Sequence, residues 1–475
     1  MKKSILVPAL LITCLGIYAQ NPNPSAAIDS EITAIMGQQH FAGTSTVIVK
    51  GGEIVWLQSY GFANSDLGTP FTDTTSLMLA SVSKIFTGTT IMQLYDDGLI
   101  NLDDNINAYL PFEINIPGFE NTPITFKMLL THTSSIKDNW EAMDGYYNDN
   151  GDPTISLADC MERYFSTTGA DYSAGNNFLD KQPGTVHEYS NIATALEGYL
   201  VEVISGMPFN EYCQQNIFDQ LCMDNTHWFL SEYPNINTIA SPHDYFNSQY
   251  EPIPHYGFAD YPDGMLRSNS KDLANYMIAV LQGSTFANGS FISANVLDEM
   301  FTPQIPGIEP EQGYQFFNYI SGNISLWGHE GGEQGISTQL YFDFNNDMGI
   351  AILANGENDG SEIFDVLYEY GIGLSPSGIG APPCSHIVST IDKAANLSSF
   401  NIYPNPATGH VRLSYDGAFS GELQIYDSAG KMARNIGRIY LPTDIPLNGL
   451  AGGLYIFKFK NGQVNFNKKL VINND

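Results

Sequence analysis

Ser81-Val82-Ser83-Lys84-Ile85-Phe86-Thr87-Gly88-Thr89-Thr90-Ile91-Met92-Gln93-Leu94 places a hydroxyl and an amine three residues apart at the start of a helical pattern. Val82, Phe86 and Leu94, with Ile85 and Met92 beside them, recur at helical spacing. Residues i and i+3 share a helix face, so Ser81 and Lys84 can touch. A serine hydroxyl attacks a carbonyl only when a neighbour takes its proton. Lysine in water titrates near ~10.4, too high for a base at neutral pH. Burial and a helix N-terminus both disfavour the ammonium, so this position is expected to hold a neutral amine. The motif alone carries little, because Ser-x-x-Lys starts at Ser81, Ser134, Ser268 and Ser428. Order and flanking residues have to separate signal from accident.

Two further segments follow in order. Pro183-Gly184-Thr185-Val186-His187-Glu188-Tyr189-Ser190-Asn191 directly precedes a helical pattern from Ile192 to Ile204 that Gly206 terminates. Gly328-His329-Glu330-Gly331-Gly332 ends a strand-like run. With Leu129-Leu130-Thr131-His132-Thr133-Ser134-Ser135, Asn101-Leu102-Asp103-Asp104 and Asp263-Gly264-Met265-Leu266, they resemble the serine β-lactamase and penicillin-binding-protein superfamily. The branch is that of class C β-lactamases, D-alanyl-D-alanine carboxypeptidases, D-aminopeptidases and related esterases. Ser135 stands where that family usually has glycine.

The resemblance implies a secreted serine acyl hydrolase acting through an acyl-enzyme on a peptide, ester or β-lactam carbonyl. Ser81 is the implied nucleophile, Lys84 the general base and Tyr189 the general acid/base. Asn191 orients Lys84 and the substrate. His329 occupies the place of a lysine in many relatives, and imidazole is expected to change charge near neutral pH. The backbone N–H groups of Ser81 and Gly332 are the implied oxyanion hole, and a glycine suits a strand that a ligand approaches closely. His132 reads as structural. The partner is a small-molecule or peptide substrate. The alternative is a catalytically silent binding protein on the same fold.

No His-Glu-x-x-His or paired-cysteine spacing points to zinc, and no cofactor or metal is expected. No Gly-x-Ser-x-Gly nucleophile elbow is present. Asn148-Asp149-Asn150-Gly151-Asp152 closes an acidic stretch from Asp138 that lacks EF-hand spacing and reads as an exposed polar loop.

Met1-Lys2-Lys3, an apolar run from Ile5 to Tyr18 and the small Ala19 read as a signal peptide over residues 1–19. Thr13 before Cys14 fits a lipoprotein box poorly. No later run is long and apolar enough for a transmembrane segment. Export permits disulfides, so Cys213 and Cys222 can pair, although two packed free thiols on a helix from Phe209 to Leu221 fit equally well. The net charge of −32 is uneven: from Phe400 onward there are eight Lys/Arg and five Asp/Glu, leaving 11 and 46 in the rest. Such an acidic body repels nucleic acid, and no nucleic-acid partner is expected.

Thr46–Lys50 and Glu53–Leu57 flank Gly51-Gly52 as a hairpin. Gln339–Phe344 and Met348–Leu353 flank Asn345-Asn346-Asp347 as a meander, and Ser270 reads as an N-cap before a helix to Leu281. The fold class is therefore α+β: a β-lactamase-like antiparallel sheet with a helical region over residues 20–374. A Ser/Gly/Pro linker at 375–399 leads to a small all-β sandwich at 400–475. That tail carries Tyr403-Pro404-Asn405-Pro406-Ala407, Ile425-Tyr426-Asp427, Gly453-Leu454-Tyr455-Ile456 and Lys469-Leu470-Val471-Ile472. It resembles the C-terminal sorting domain of the type IX (Por) secretion system. The resemblance implies secretion machinery as a partner, and export through the periplasm to the surface or medium of a Gram-negative bacterium.

Overall fold

The computed structural model describes residues 21–286, 289–376, 401–403, 407–414, 419–427, 431–441, 443–460 and 465–472. The expected signal peptide, Cys14, most of the expected linker and Cys384 lie outside the described residues.

Helix α1 (Ala26–Gln39) leads into β1 (Gly43–Lys50), β2 (Glu53–Asn64) and the short β3 (Thr69–Pro70). The hairpin turns at Gly51-Gly52, both at positive φ (59° and 78°), as the turn twist requires. Helices α2 (Ser83–Asp96), α3 (Asn191–Ser205) and α4 (Ser270–Leu281) belong to the long insertion that follows. The chain then returns to the sheet as β4 (Phe317–Ser321), β5 (Ile324–Glu333), β6 (Ile336–Asp343) and β7 (Met348–Ala354), and α5 (Ser361–Gly373) closes the body. The seven strands run β4-β5-β6-β7-β1-β2-β3, every neighbour antiparallel.

Strand alternation divides the apolar residues between two cores. Val47, Val49, Leu340, Phe342, Ala351 and Leu353 face the helical region, whereas Ile48, Tyr341, Ile350 and Ile352 pack toward α1 and α5. β1 is buried along nearly its whole length because both faces are covered. Helix α2 is buried from Ser83 to Leu94, so the Ser81 motif opens a central helix.

Four local expectations change. The helix expected from Phe209 to Leu221 is α-helical only to Cys213 and continues as a π-turn, Gln214–Phe218. Cys213 is a free buried thiol, which excludes the Cys213–Cys222 pair, and Cys222 is held in a disulfide with neither Cys160 nor Cys213. Asn269, not Ser270, caps α4: its Oδ1 accepts from Asp272 N at 2.9 Å, because Ser270 Oγ instead donates to Ser45 Oγ at 2.7 Å. The acidic stretch is not one solvated loop. Asp152 accepts from the N–H groups of Leu230 and Ser231 at 2.6 and 2.9 Å, and Asp138 caps α3 as described below.

The tail is all-β. A three-stranded sheet (Asn401–Tyr403, His410–Ser414, Thr443–Pro446) and a four-stranded sheet share one core. Val411 and Leu413 from the first meet Leu423, Ile425 and Phe457 from the second, which is a sandwich.

Candidate active site

Ser81 lies in a single 3-10 turn, Ala80–Val82, that runs into α2. Ala80 is held at φ 47°, a left-handed conformation unfavourable for a residue with a Cβ. It is fixed on both sides: Leu79 N donates to Leu266 O at 2.7 Å, and Leu79 O accepts from Thr338 Oγ1 of β6 at 2.6 Å. The turn thus presents Ser81 between the sheet and the Asp263–Leu266 segment.

Lys84, fully buried one helical turn on, spends its three N–H donors on three acceptors: Ser81 Oγ at 3.1 Å, Asn191 Oδ1 at 2.8 Å and Asp263 O at 2.6 Å. Burial pushes its pKa down, but the acidic groups around it, Tyr189, Asp263 and Asp138, outweigh burial, and the net shift is upward. The resting group is an ammonium, so the neutral amine expected from burial alone is corrected. Asp263 and Asp260, both buried, are pushed above the carboxylate range, Asp263 by burial and then by Asp260, and Asp260 (to about 7) by burial first. Ser134 and Ser268 hydroxyls make other bonds, to Ile136 N and with Thr226, so Ser-x-x-Lys forms a serine–lysine contact only at Ser81 among the described residues.

The Tyr189 hydroxyl donates to Ser81 Oγ at 2.9 Å, and its ring centroid is 5.1 Å from Lys84 Nζ. The Leu129–Ser135 segment sets it there. Gly184 N donates to Thr133 O at 2.7 Å and Glu188 N to His132 O at 2.8 Å, and the His132 ring lies 4.7 Å from the Tyr189 ring. Ser190 N donates to His132 Nδ1 at 3.4 Å, and burial pushes this imidazole well below its usual pKa. His132 is thus a neutral packing and hydrogen-bonding element, as its sequence reading has it. Ser135, in the family's glycine position, takes φ 63°, the region where glycine costs least.

Asn191 is the first residue of α3. Its Nδ2 donates to Asp138 Oδ2 at 2.8 Å, which turns Oδ1 toward Lys84. The same Asp138 carboxylate accepts from Ser190 Oγ (3.0 Å), Asn191 N (3.1 Å) and Ile192 N (3.1 Å). A carboxylate on a helix N-terminus is favoured by the macrodipole. Sequence reading missed Asp138, because nothing local links it to a helix that starts 53 residues later.

His329, on β5, is 5 % exposed, with its ring 6.1 Å from that of Tyr189. Its Nδ1 bonds a carbonyl, Glu330 O, and must carry the proton, which leaves Nε2 as a lone-pair acceptor without a partner among the described residues. Burial, then the Lys84 charge, pushes this histidine down to about 3. It is neutral throughout the physiological range, which corrects the expectation of a charge that varies near pH 7. Gly332 is exposed, and a Cβ there would meet nothing. The crowded glycine is Gly331, whose Cβ would sit 2.3 Å from Leu79 O and 3.1 Å from Ser81 N. Close approach between protein backbones on this strand falls at Gly331, whereas Gly332 faces open space.

Residues 28–368 match the beta-lactamase family. The chain belongs to that family. Residues 401–473 match the secretion system C-terminal sorting domain. "Protein flp" of Staphylococcus aureus (strain MW2) is 26 % identical over 257 residues, which is 53 % of this chain and 47 % of that protein. "Beta-lactamase-like protein 4" of Dictyostelium discoideum is 26 % identical over 329 residues, 64 % of this chain and 54 % of that protein. The chain thus spans about half the length of the curated relatives it matches. In fold it is similar to the octameric penicillin-binding protein homologue from Pyrococcus abyssi, with TM-score 0.61, 21 % identity, and coverage of 94 % of this chain and 96 % of that one. It is also similar to a class C beta-lactamase, with TM-score 0.58, 20 % identity, and coverage of 74 % and 96 %. The beta-lactamase body has the fold of serine hydrolases, and the tail is of the type IX sorting kind. Among the described residues no helix is long and apolar enough to cross a membrane.

Proposed function

We propose that this protein is a serine acyl hydrolase whose nucleophile is Ser81, acting on a peptide, ester or β-lactam carbonyl. The carrying observation is the convergence on one oxygen: Lys84 Nζ at 3.1 Å and Tyr189 OH at 2.9 Å both reach Ser81 Oγ. Serine needs such neighbours before it attacks. The N–H groups of Ser81 and Gly332 hold the developing oxyanion, and Gly332 is open to a ligand. Because Lys84 rests as an ammonium, it is not the free base that its sequence position suggested. Tyr189 takes the Ser81 proton while passing its own to the leaving group, so the phenol is neutral before and after. The fixed charge of Lys84 stabilises the negative charge that develops between them. Asn191 holds Lys84, and His329 contributes an acceptor, not a cation. Water then releases the acyl group.

Incubation with a fluorophosphonate tests the reading. One adduct is expected on Ser81 by tryptic mass spectrometry, with loss of ester hydrolysis, and none in Ser81→Ala. A parent protein that stays unlabelled and hydrolyses no ester would return the body to a binding role.

The tail supports delivery of this enzyme through the periplasm to the surface or medium of a Gram-negative host by the type IX machinery. Deleting residues 400–475 should leave the protein in the periplasm of that host, detected by fractionation. Export at the parent level would remove the sorting role.

A further inference from the structure

Beside the proposed oxyanion position lies a cavity of about 500 Å³ lined by Trp140, Asp144, Tyr147, Asp149, Gly332 and Glu333. Three of its six walls are carboxylates and two are aromatic rings. Among the described residues none of the three carboxylates makes an ion pair with Lys or Arg. The nearest catalytic cation, Lys84, has already committed its three donors elsewhere. Tyr147 OH donates to Glu333 Oε2 at 3.3 Å, which fixes that carboxylate at the inner wall. Trp140 is 49 % exposed, so its ring is open to a ligand in this cavity.

A second observation points the same way. Residues 329, 331 and 333 alternate onto one face of β5, with Gly331 against Ser81 between His329 and Glu333. His329 Nε2 is buried there as an acceptor without a partner. Among the described residues, this face of the strand offers the His329 lone pair and the Glu333 carboxylate, and the nearby Lys84 has its donors committed. A substrate carboxylate would find nothing to pair with, and burial has already lifted Glu333 above its usual range. A positive charge would relieve that penalty and gain the ring faces as well.

We propose that the substrate carries an organic cation, an alkylammonium group a few bonds from the scissile carbonyl, seated between Trp140, Tyr147 and the carboxylates of Glu333, Asp144 and Asp149. The distance from the carbonyl rests on the acyl-hydrolase reading. The pocket itself does not, and can be tested without turnover.

The first experiment titrates choline into the full-length Ser81→Ala protein and follows Trp140 fluorescence. The other three tryptophans, Trp56, Trp228 and Trp327, are buried, so Trp140→Phe should remove the signal. Choline should saturate about tenfold or more tightly than its neutral carbon isostere 3,3-dimethylbutanol, an effect of the size of a cation over aromatic faces. The preference should shrink with added salt and in Glu333→Gln and Asp149→Asn. Equal affinities, or no saturable choline binding, would overturn the proposal. The second experiment compares kcat/KM for acetylcholine and 3,3-dimethylbutyl acetate with the parent enzyme. A ratio of about ten or more, falling toward one in Glu333→Gln, is expected. A ratio near one would also overturn it. If neither ester turns over and Ser81 takes no label, the hydrolase reading fails, and choline binding still decides the pocket.

Discussion

Replacing Lys84 by methionine should lower kcat/KM for any accepted ester by about 10³-fold or more, the scale on which a member of a nucleophile–base–orienter set is lost. Methionine keeps most of the volume and none of the donors. Ser81 Oγ, Asn191 Oδ1 and Asp263 O then lose bonds of 3.1, 2.8 and 2.6 Å at once. Asp263 and Asp260 are already pushed above the carboxylate range with Lys84 present, so without its charge they bind protons more firmly still. The negative charge forming between Ser81 and Tyr189 would then have no cation beside it. Fluorophosphonate labelling should slow in parallel, which separates loss of attack from loss of substrate binding. Turnover within tenfold of the parent, in a protein with an unchanged melting temperature, would remove Lys84 from the chemistry.

The second large effect is on Gly331. An alanine Cβ there would lie 2.3 Å from Leu79 O, 2.4 Å from Thr338 Oγ1 and 3.1 Å from Ser81 N. Leu79 O cannot yield, because Thr338 Oγ1 bonds it at 2.6 Å and the chain continues into the strained Ala80. Strand β5 must therefore move away from the Ser81 turn. That separates the two N–H groups proposed to share one oxygen, and kcat should fall about 10²-fold or more, the cost of a lost oxyanion donor. Overpacking should also cost about 1–3 kcal/mol in unfolding free energy, read by urea denaturation. Gly332→Ala is the control: its Cβ meets nothing, so stability should hold. Equal behaviour of the two variants would show that the strand-to-turn spacing does not matter.

Both predictions turn on residues whose importance was unevenly legible. Ser81, Lys84, Tyr189, Asn191 and His329 were all readable as types in an ordered pattern, and the fold brings all five to one cleft. Gly332 was readable as well, but the crowding that explains a glycine belongs to Gly331. Asp138, Asp144 and Asp149 read as part of an exposed polar loop and Glu333 drew no reading, since a carboxylate's partner across 53 residues or across the cleft leaves no local trace.

From the chain alone one can obtain whatever rests on neighbours in sequence: the Gly51-Gly52 hairpin, the meander around Asn345-Asn346-Asp347, the helix that carries Lys84, and the all-β tail. These follow from periods and turn conformations, which are local properties. Tertiary structure alone decided the charges and partners. Three acceptors and nearby acidic groups raise the proton affinity of Lys84, and burial, then the Lys84 charge, lowers that of His329. Asn269 caps α4 because Ser45 draws Ser270 away. Proton affinity and hydrogen-bond choice depend on what lies within a few ångströms in space, and only folding settles that.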